Sequence, residues 1–130
     1  MRPFLALAAL HGFLAVALGA FGAHGLESHL AELEDGAKRL GWWTTAAHYQ
    51  LTHAIALAVV VALRDRTPHP LLRASAICFA AGPVIFSGTL YAMTLSGVRW
   101  LGAITPLGGL LLIAGWALLA LAALRADTRR

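Results

Sequence analysis

The sequence predicts an all-α integral membrane protein, a bundle of four membrane-spanning helices in a single domain over residues 1–130. Of the 130 residues, 59% are hydrophobic and only 12% are charged, and the mean hydropathy is +0.73. A soluble domain carries about 25% charged residues. The apolar residues form four runs, each near the ~20 residues that a helix needs to cross a bilayer. Apart from Arg73, at the start of the third run, the runs contain no Asp, Glu, Lys or Arg.

The four runs cover residues 4–23, 44–63, 71–95 and 101–124. Backbone groups in lipid must be hydrogen-bonded within their own segment, so each run is predicted to be a helix. The first run shares a basic start and a small-residue end with cleaved signal peptides. Its length, and the even number of spans that it completes, favour a retained helix.

The long connection between the first two runs, residues 24–43, has its own pattern. Leucines recur at helical spacing with acidic residues between them. This pattern predicts a short amphipathic helix that lies on the outer membrane surface. Trp42 and Trp43 follow it and are predicted to lie at the membrane interface, where tryptophan is common.

The basic residues are distributed unevenly between the two sides of the membrane. If the helices alternate in direction, seven Lys or Arg residues fall on the side of the termini and three on the other. Because the more basic side faces the cytoplasm, both termini are predicted to be cytoplasmic. The net charge of +4 comes from these flanking residues, not from a basic stripe with interleaved aromatics, so nucleic acid is not expected as a partner.

Polar side chains within the spans are costly in lipid and are therefore candidates for a site. A rise of ~1.5 Å per residue places His11 about 12 Å and His53 about 15 Å from the cytoplasmic side. The two histidines are thus expected to approach each other near the midplane, where they are an alternative candidate pair for a metal or haem. His48 lies about 140° from His53 around its helix and cannot share an ion with it.

Other polar residues are predicted to form a cluster in the outer half of the bundle. The same helical rise places Gln50 and Ser87 about 20 Å from the cytoplasmic side. The cluster would open toward the outer loop. The candidate ligand-binding residues are His24, His48, Tyr49, Gln50, His53, Ser87, Tyr91 and Thr105.

Three functional interpretations are open at this stage. In the first, the polar residues hold the helices together in an accessory or scaffold protein with no enzymatic activity and no cofactor. In the second, they bind or carry a small solute or lipid; the absence of carboxylates from the runs argues against an ion-coupled pump. In the third, the protein is a haem-binding membrane subunit. Small residues recur along three of the helices and suit close packing, within the chain, in a homo-oligomer or against a membrane-protein partner.

Four blocks of sequence carry a resemblance to a known family. They are GAFGAHG at 19–25, TAAHYQ at 45–50 followed by His53, FSGTLY at 86–91, and LGAITPLGG at 101–109 followed by Gly115 and Trp116. Together they resemble the family of small membrane proteins that includes bacterial YgdD and vertebrate transmembrane protein 256, over nearly the whole chain. The resemblance implies a multi-pass protein of the bacterial inner membrane, and it brings no established activity, cofactor or catalytic residue.

Overall fold

The computed structural model of the chain describes residues 1–66 and 68–127, and within them every regular element is helical. The helices are α1 (Arg2–Phe21), α2 (Glu27–Leu30), α3 (Gly36–Arg66), α4 (Pro70–Ser96) and α5 (Thr105–Asp127). A π-helical turn (Gly22–Leu26) joins α1 to α2, and a 3₁₀ turn (Arg99–Ala103) precedes α5. Four segments of the described chain are long and apolar enough to cross a membrane, which confirms the predicted all-α bundle. They are Arg2–Leu30, Gly36–Arg66, Pro70–Ser96 and Arg99–Arg125.

The four spans pack mainly in the order of the chain: α1 lies against α3, α3 against α4, and α4 against α5. Accordingly α3 and α4 are the inner helices. In each of them 44% of the residues of the most apolar window are buried, compared with 17% in the first span and 22% in the last. The first and last spans therefore present most of their surface outward.

The predicted small-residue stripe on the first helix is used for packing within the chain. A Cβ placed on Gly12 would lie 3.9 Å from the Cβ of Ala54, and one on Gly19 would lie 3.8 Å from the Cβ of Ala47. Apolar side chains gain little by leaving lipid for a helix interface, so close packing of small residues is a main source of helix association in membranes. The stripe holds α1 against α3.

The connection between the first two spans is shorter than the sequence predicts. The helical backbone continues from α1 through the π turn into α2, and only residues 31–35 lie outside helices before α3 begins. Leu26 and Leu30 are buried in a cluster with Trp43 and Leu18. The short amphipathic helix expected here is present, but it continues the first span and is held on the bundle by its leucines.

Trp43 is part of the bundle interior and not the interfacial residue that the sequence predicts. Its side chain is 3% exposed, and its indole N–H donates to the carbonyl of Leu18 at 2.7 Å. The ring meets Tyr91 edge-on, with ring centroids 4.5 Å apart. Gly22 makes room for it, because a Cβ at that position would lie 2.5 Å from Cδ1 of the indole.

Charged and polar groups join the helix ends on the side opposite the N-terminus of α1. The carboxylate of Asp35 accepts hydrogen bonds from Arg39 at 2.8 Å and from Arg99 at 3.3 Å. The hydroxyl of Thr94, near the end of α4, donates to the Arg39 carbonyl at 3.1 Å. The hydrogen bond from Arg39 is the main reason why the pKa of Asp35 lies below its ordinary value of 3.8. These contacts tie the loop to α3, α4 and the 3₁₀ turn.

Candidate functional site

A buried chain of hydrogen-bonded groups, here called the inner chain, runs from α4 through α3 to α1 and back to α4. The Tyr91 hydroxyl donates to Oε1 of Gln50 at 2.9 Å, and Nε2 of Gln50 lies 3.4 Å from Nδ1 of His11. Nε2 of His11 lies 3.1 Å from the carbonyl oxygen of Ala80. A carbonyl oxygen only accepts, so Nε2 of His11 carries the proton and Nδ1 accepts from the amide of Gln50.

Pro83 interrupts the backbone hydrogen bonding of α4 next to the carbonyl that His11 contacts. It has no N–H, so the carbonyl of Phe79, four residues earlier, loses its helical donor. The carbonyl of Ala80 is the next along the chain, and a carbonyl oxygen has a second lone pair that can accept from His11. One turn further along, the Ser87 hydroxyl donates to the carbonyl of Ala46 on α3 at 2.8 Å. The interior of the bundle thus uses its polar side chains to join neighbouring helices.

A second polar region, here called the α3–α5 groove, lies on an adjacent face of α3. It has a volume of about 450 Å³ and is open along the surface of the bundle. The indole N–H of Trp116 donates to Nε2 of His53 at 3.1 Å, and Nδ1 of His53 lies 2.7 Å from the Tyr49 carbonyl. Both nitrogens of His53 are therefore engaged, with the proton on Nδ1. The groove is lined by His48, Tyr49, Thr52, His53, Phe86, Gly109, Leu112, Ile113 and Trp116.

Aromatic rings form the wall of the α3–α5 groove. Tyr49 stacks on Phe86 with centroids 4.6 Å apart and planes 29° apart, and it also stacks on His53 at 5.8 Å. Tyr49 and His53 are four residues apart on α3, so their rings lie on the same face of the helix. Within the described part of the chain, neither the Tyr49 hydroxyl nor the ring nitrogens of His48 have a hydrogen-bond partner.

The structure divides the candidate residues among several places and does not bring them into one cluster. Gln50 and Tyr91 belong to the inner chain, whereas His48, Tyr49 and His53 line the α3–α5 groove. Their role in ligand binding stays a prediction. The other candidates are Ser87, which is bonded to α3, Thr105, whose hydroxyl lies 2.8 Å from that of Thr89, and His24, which is exposed on the π turn.

His11 and His53, the candidate pair for a metal or haem, have different neighbours. His11 contacts Gln50 and the Ala80 carbonyl, whereas His53 contacts Trp116 and the Tyr49 carbonyl. An ion shared by the two rings would have to displace hydrogen bonds from each. Among the described residues, no group of three or more His, Cys, Asp or Glu side chains is arranged to hold a metal ion.

Trp116 is a site residue that the sequence analysis missed. It lies nine residues before Arg125 on α5, about 14 Å from that end of the helix, and not at the interface where tryptophan is common. Its ring meets Phe79 edge-on at 5.1 Å while its N–H bonds to His53. A tryptophan deep within a predicted span was the available signal, because its N–H needs a partner there.

Comparison with known proteins places the chain beside small bacterial membrane proteins. The family model described as "Protein of unknown function (DUF423)" matches residues 18–109. UPF0382 membrane protein SERP0230 of Staphylococcus epidermidis is 42% identical over 125 residues, covering 96% of this chain and 98% of its own. UPF0382 membrane protein YwdK of Bacillus subtilis is 41% identical, covering 96% and 98%. UPF0382 inner membrane protein YgdD of Escherichia coli is 40% identical, covering 95% and 91%. No solved structure matches.

Proposed function

Because the chain belongs to the DUF423 family of multi-pass membrane proteins, we propose that it is a non-enzymatic accessory or scaffold protein of the bacterial inner membrane. The relative in Escherichia coli is named an inner membrane protein, which supports that location. The observation that carries the proposal is the pairing of the buried polar side chains, which are joined to neighbouring side chains and backbone carbonyls.

Among the described residues, each residue with a buried polar side chain forms a hydrogen bond within the bundle. Such bonds contribute about 0.6 kcal/mol each in membrane proteins, and an unpaired group in lipid costs more. Most of them join two helices, as Ser75 of α4 does by donating to the Gly115 carbonyl of α5 at 2.8 Å. This use of the interior supports a stable scaffold. The residues concerned are His11, Gln50, His53, Ser75, Ser87, Thr94 and Thr105.

The two alternative functions need more rearrangement of the same groups. A carrier needs a polar path between the two membrane faces, whereas the inner chain and the α3–α5 groove are hydrogen-bonded separately. A haem ligated by His11 and His53 would require each ring to give up a hydrogen bond, for example Nε2 of His11 to Ala80 and Nε2 of His53 from Trp116. The accessory role requires no such change.

The outward surfaces of the first and last spans are the proposed partner surfaces. Phe13 on α1 is 70% exposed and Leu110 on α5 is 62% exposed. Arg2 begins α1, and Arg64 and Arg125 lie in the last turns of α3 and α5. Spans that alternate in direction bring these basic residues to the same side, which supports termini on the cytoplasmic side. A partner, either another membrane protein or a second copy, would lie against one of these two helices within the bilayer.

Photo-crosslinking in native membranes tests the accessory role. A photoreactive amino acid is placed at Phe13, at Leu110, and as a control at Val84 on the inner helix α4, which is 63% exposed. We expect a discrete protein adduct from Phe13 or Leu110 and lipid adducts alone from Val84. Lipid adducts alone from all three positions would contradict the proposal.

A further inference from the structure

We propose that the α3–α5 groove binds a neutral, membrane-soluble molecule with a planar, carbonyl-bearing head, the chemistry of a quinone. This inference goes beyond the scaffold role, which does not require the groove to be occupied. It rests on where the groove opens, on two hydrogen-bonding groups that have no partner in it, and on its lack of charge.

The groove opens toward the acyl chains and not toward water. His48 lies nine residues from Arg39 and sixteen from Arg64, so it is about 14 Å and 24 Å from the charged residues that flank its helix. On the facing helix, Ile113 is 67% exposed and Trp116 46% exposed. A molecule must therefore dissolve in the bilayer to reach the groove.

Two hydrogen-bonding groups in the groove lack partners. The hydroxyl of Tyr49, whose side chain is 41% exposed, and the ring nitrogens of His48 have none among the described residues. His53 and Trp116 are already bonded to each other. A polar group left unpaired in hydrocarbon costs free energy, so an occupant that accepts hydrogen bonds at these positions is stabilised.

The lining specifies the kind of acceptor. It contains no Asp, Glu, Lys or Arg, so a charged head group would lose its hydration without gaining a counter-ion. The Tyr49 hydroxyl and an N–H of the His48 ring are donors, which suits a carbonyl oxygen. The aromatic wall formed by Tyr49, Phe86 and Trp116 favours a flat ring that can stack, and about 450 Å³ is within the range of ligand pockets. These properties together describe a quinone head group better than a phospholipid.

Equilibrium binding of labelled short-tailed ubiquinone and menaquinone to the full chain in lipid nanodiscs tests this inference, with empty nanodiscs as background. We expect saturable binding. Tyr49→Phe keeps the stacked ring and removes only the hydroxyl, and His48→Leu removes the imidazole at similar size. Each should weaken binding roughly three- to tenfold, the effect of one hydrogen bond.

Two controls distinguish recognition of the head group from nonspecific hydrophobic binding of the tail. His29→Leu makes the same chemical change on the exposed side of α2, outside the groove, and should leave the affinity unchanged. An isoprenoid alcohol with the same tail and no ring should not compete. Equal competition by that alcohol, absence of saturable binding, or unchanged affinity in both groove variants would overturn the inference. None of these outcomes depends on the photo-crosslinks that test the scaffold role.

Discussion

The backbones of α4 and α5 lie close together at Gly108, and a single added methyl group there should loosen the bundle. A Cβ on Gly108 would lie 2.8 Å from both Cα and Cβ of Phe86, and closer still to its backbone nitrogen. Ordinary contacts begin at 3.4 Å, about 0.6 Å further away. Because the atoms it meets include backbone, no side-chain rotation can relieve the overlap and the two helices must move apart.

The cost follows from that displacement. Overpacking of a tight interface typically costs about 1–3 kcal/mol. The separation would also stretch two hydrogen bonds between the same helices, each 2.8 Å long: Ser75 to the Gly115 carbonyl, and Thr89 with Thr105. A hydroxyl hydrogen bond lengthened by half an ångström or more is past its usual range. We therefore expect Gly108→Ala to lower the free energy of unfolding by roughly 2 kcal/mol.

The neighbouring glycine provides a matched control. A Cβ on Gly109 would lie 3.8 Å from Cδ2 of Phe86, an ordinary contact. Gly109→Ala adds the same methyl group to the same helix and should change stability by less than about 0.5 kcal/mol. Unfolding of the purified chain by denaturing detergent, followed by circular dichroism and tryptophan fluorescence, measures both variants. Equal stability of Gly108→Ala and Gly109→Ala would refute the close approach of α4 and α5.

Two further predictions concern polar contacts. Gln50→Leu leaves Nδ1 of His11 and the Tyr91 hydroxyl without their shared partner. The same unfolding experiment should therefore show a decrease of about 1–2 kcal/mol in the free energy of unfolding. An unchanged unfolding midpoint would argue against the hydrogen bonds of the inner chain. The carboxylate of Asp35 has a pKa below its ordinary value of 3.8, mainly because of the hydrogen bond from Arg39. Its contribution to stability is therefore complete above pH 3.8 and is lost as the pH falls through the lower pKa of the folded state. The stability difference between the wild type and Asp35→Asn should thus be largest near neutral pH and disappear in acid; a difference independent of pH would contradict the ion pairs.

The number and order of the spans could be predicted from the sequence because hydropathy depends only on composition along the chain. The family resemblance is confirmed as well. The connection between the first two spans was less predictable. Hydropathy falls after the first run, yet the backbone stays helical to Leu30, because Leu26 and Leu30 are buried against Trp43. That contact depends on how two helices meet, which a single run does not specify.

The partners of the polar residues were equally hard to predict from the sequence. A helical rise gives the depth of a side chain but not the direction in which it points around the bundle. His11 and His53 were expected to meet because their depths agree. In the structure His11 faces Gln50 and α4, whereas His53 faces Trp116 across the α3–α5 groove. The order of helix packing decides these partners, and it arises from contacts that are far apart in the sequence.

The direction of each polar side chain also separates structural from ligand-binding candidates. Gln50 and the Tyr49 hydroxyl belong to adjacent residues on α3, yet the amide of Gln50 is bonded on both sides while the hydroxyl has no partner in the described chain. Burial between helices supplies partners from the chain itself, whereas a polar group turned toward lipid must obtain one from outside. A site on this protein is therefore to be sought on the lipid-facing side of α3, where His48 and Tyr49 lie, rather than among the buried residues that join the helices.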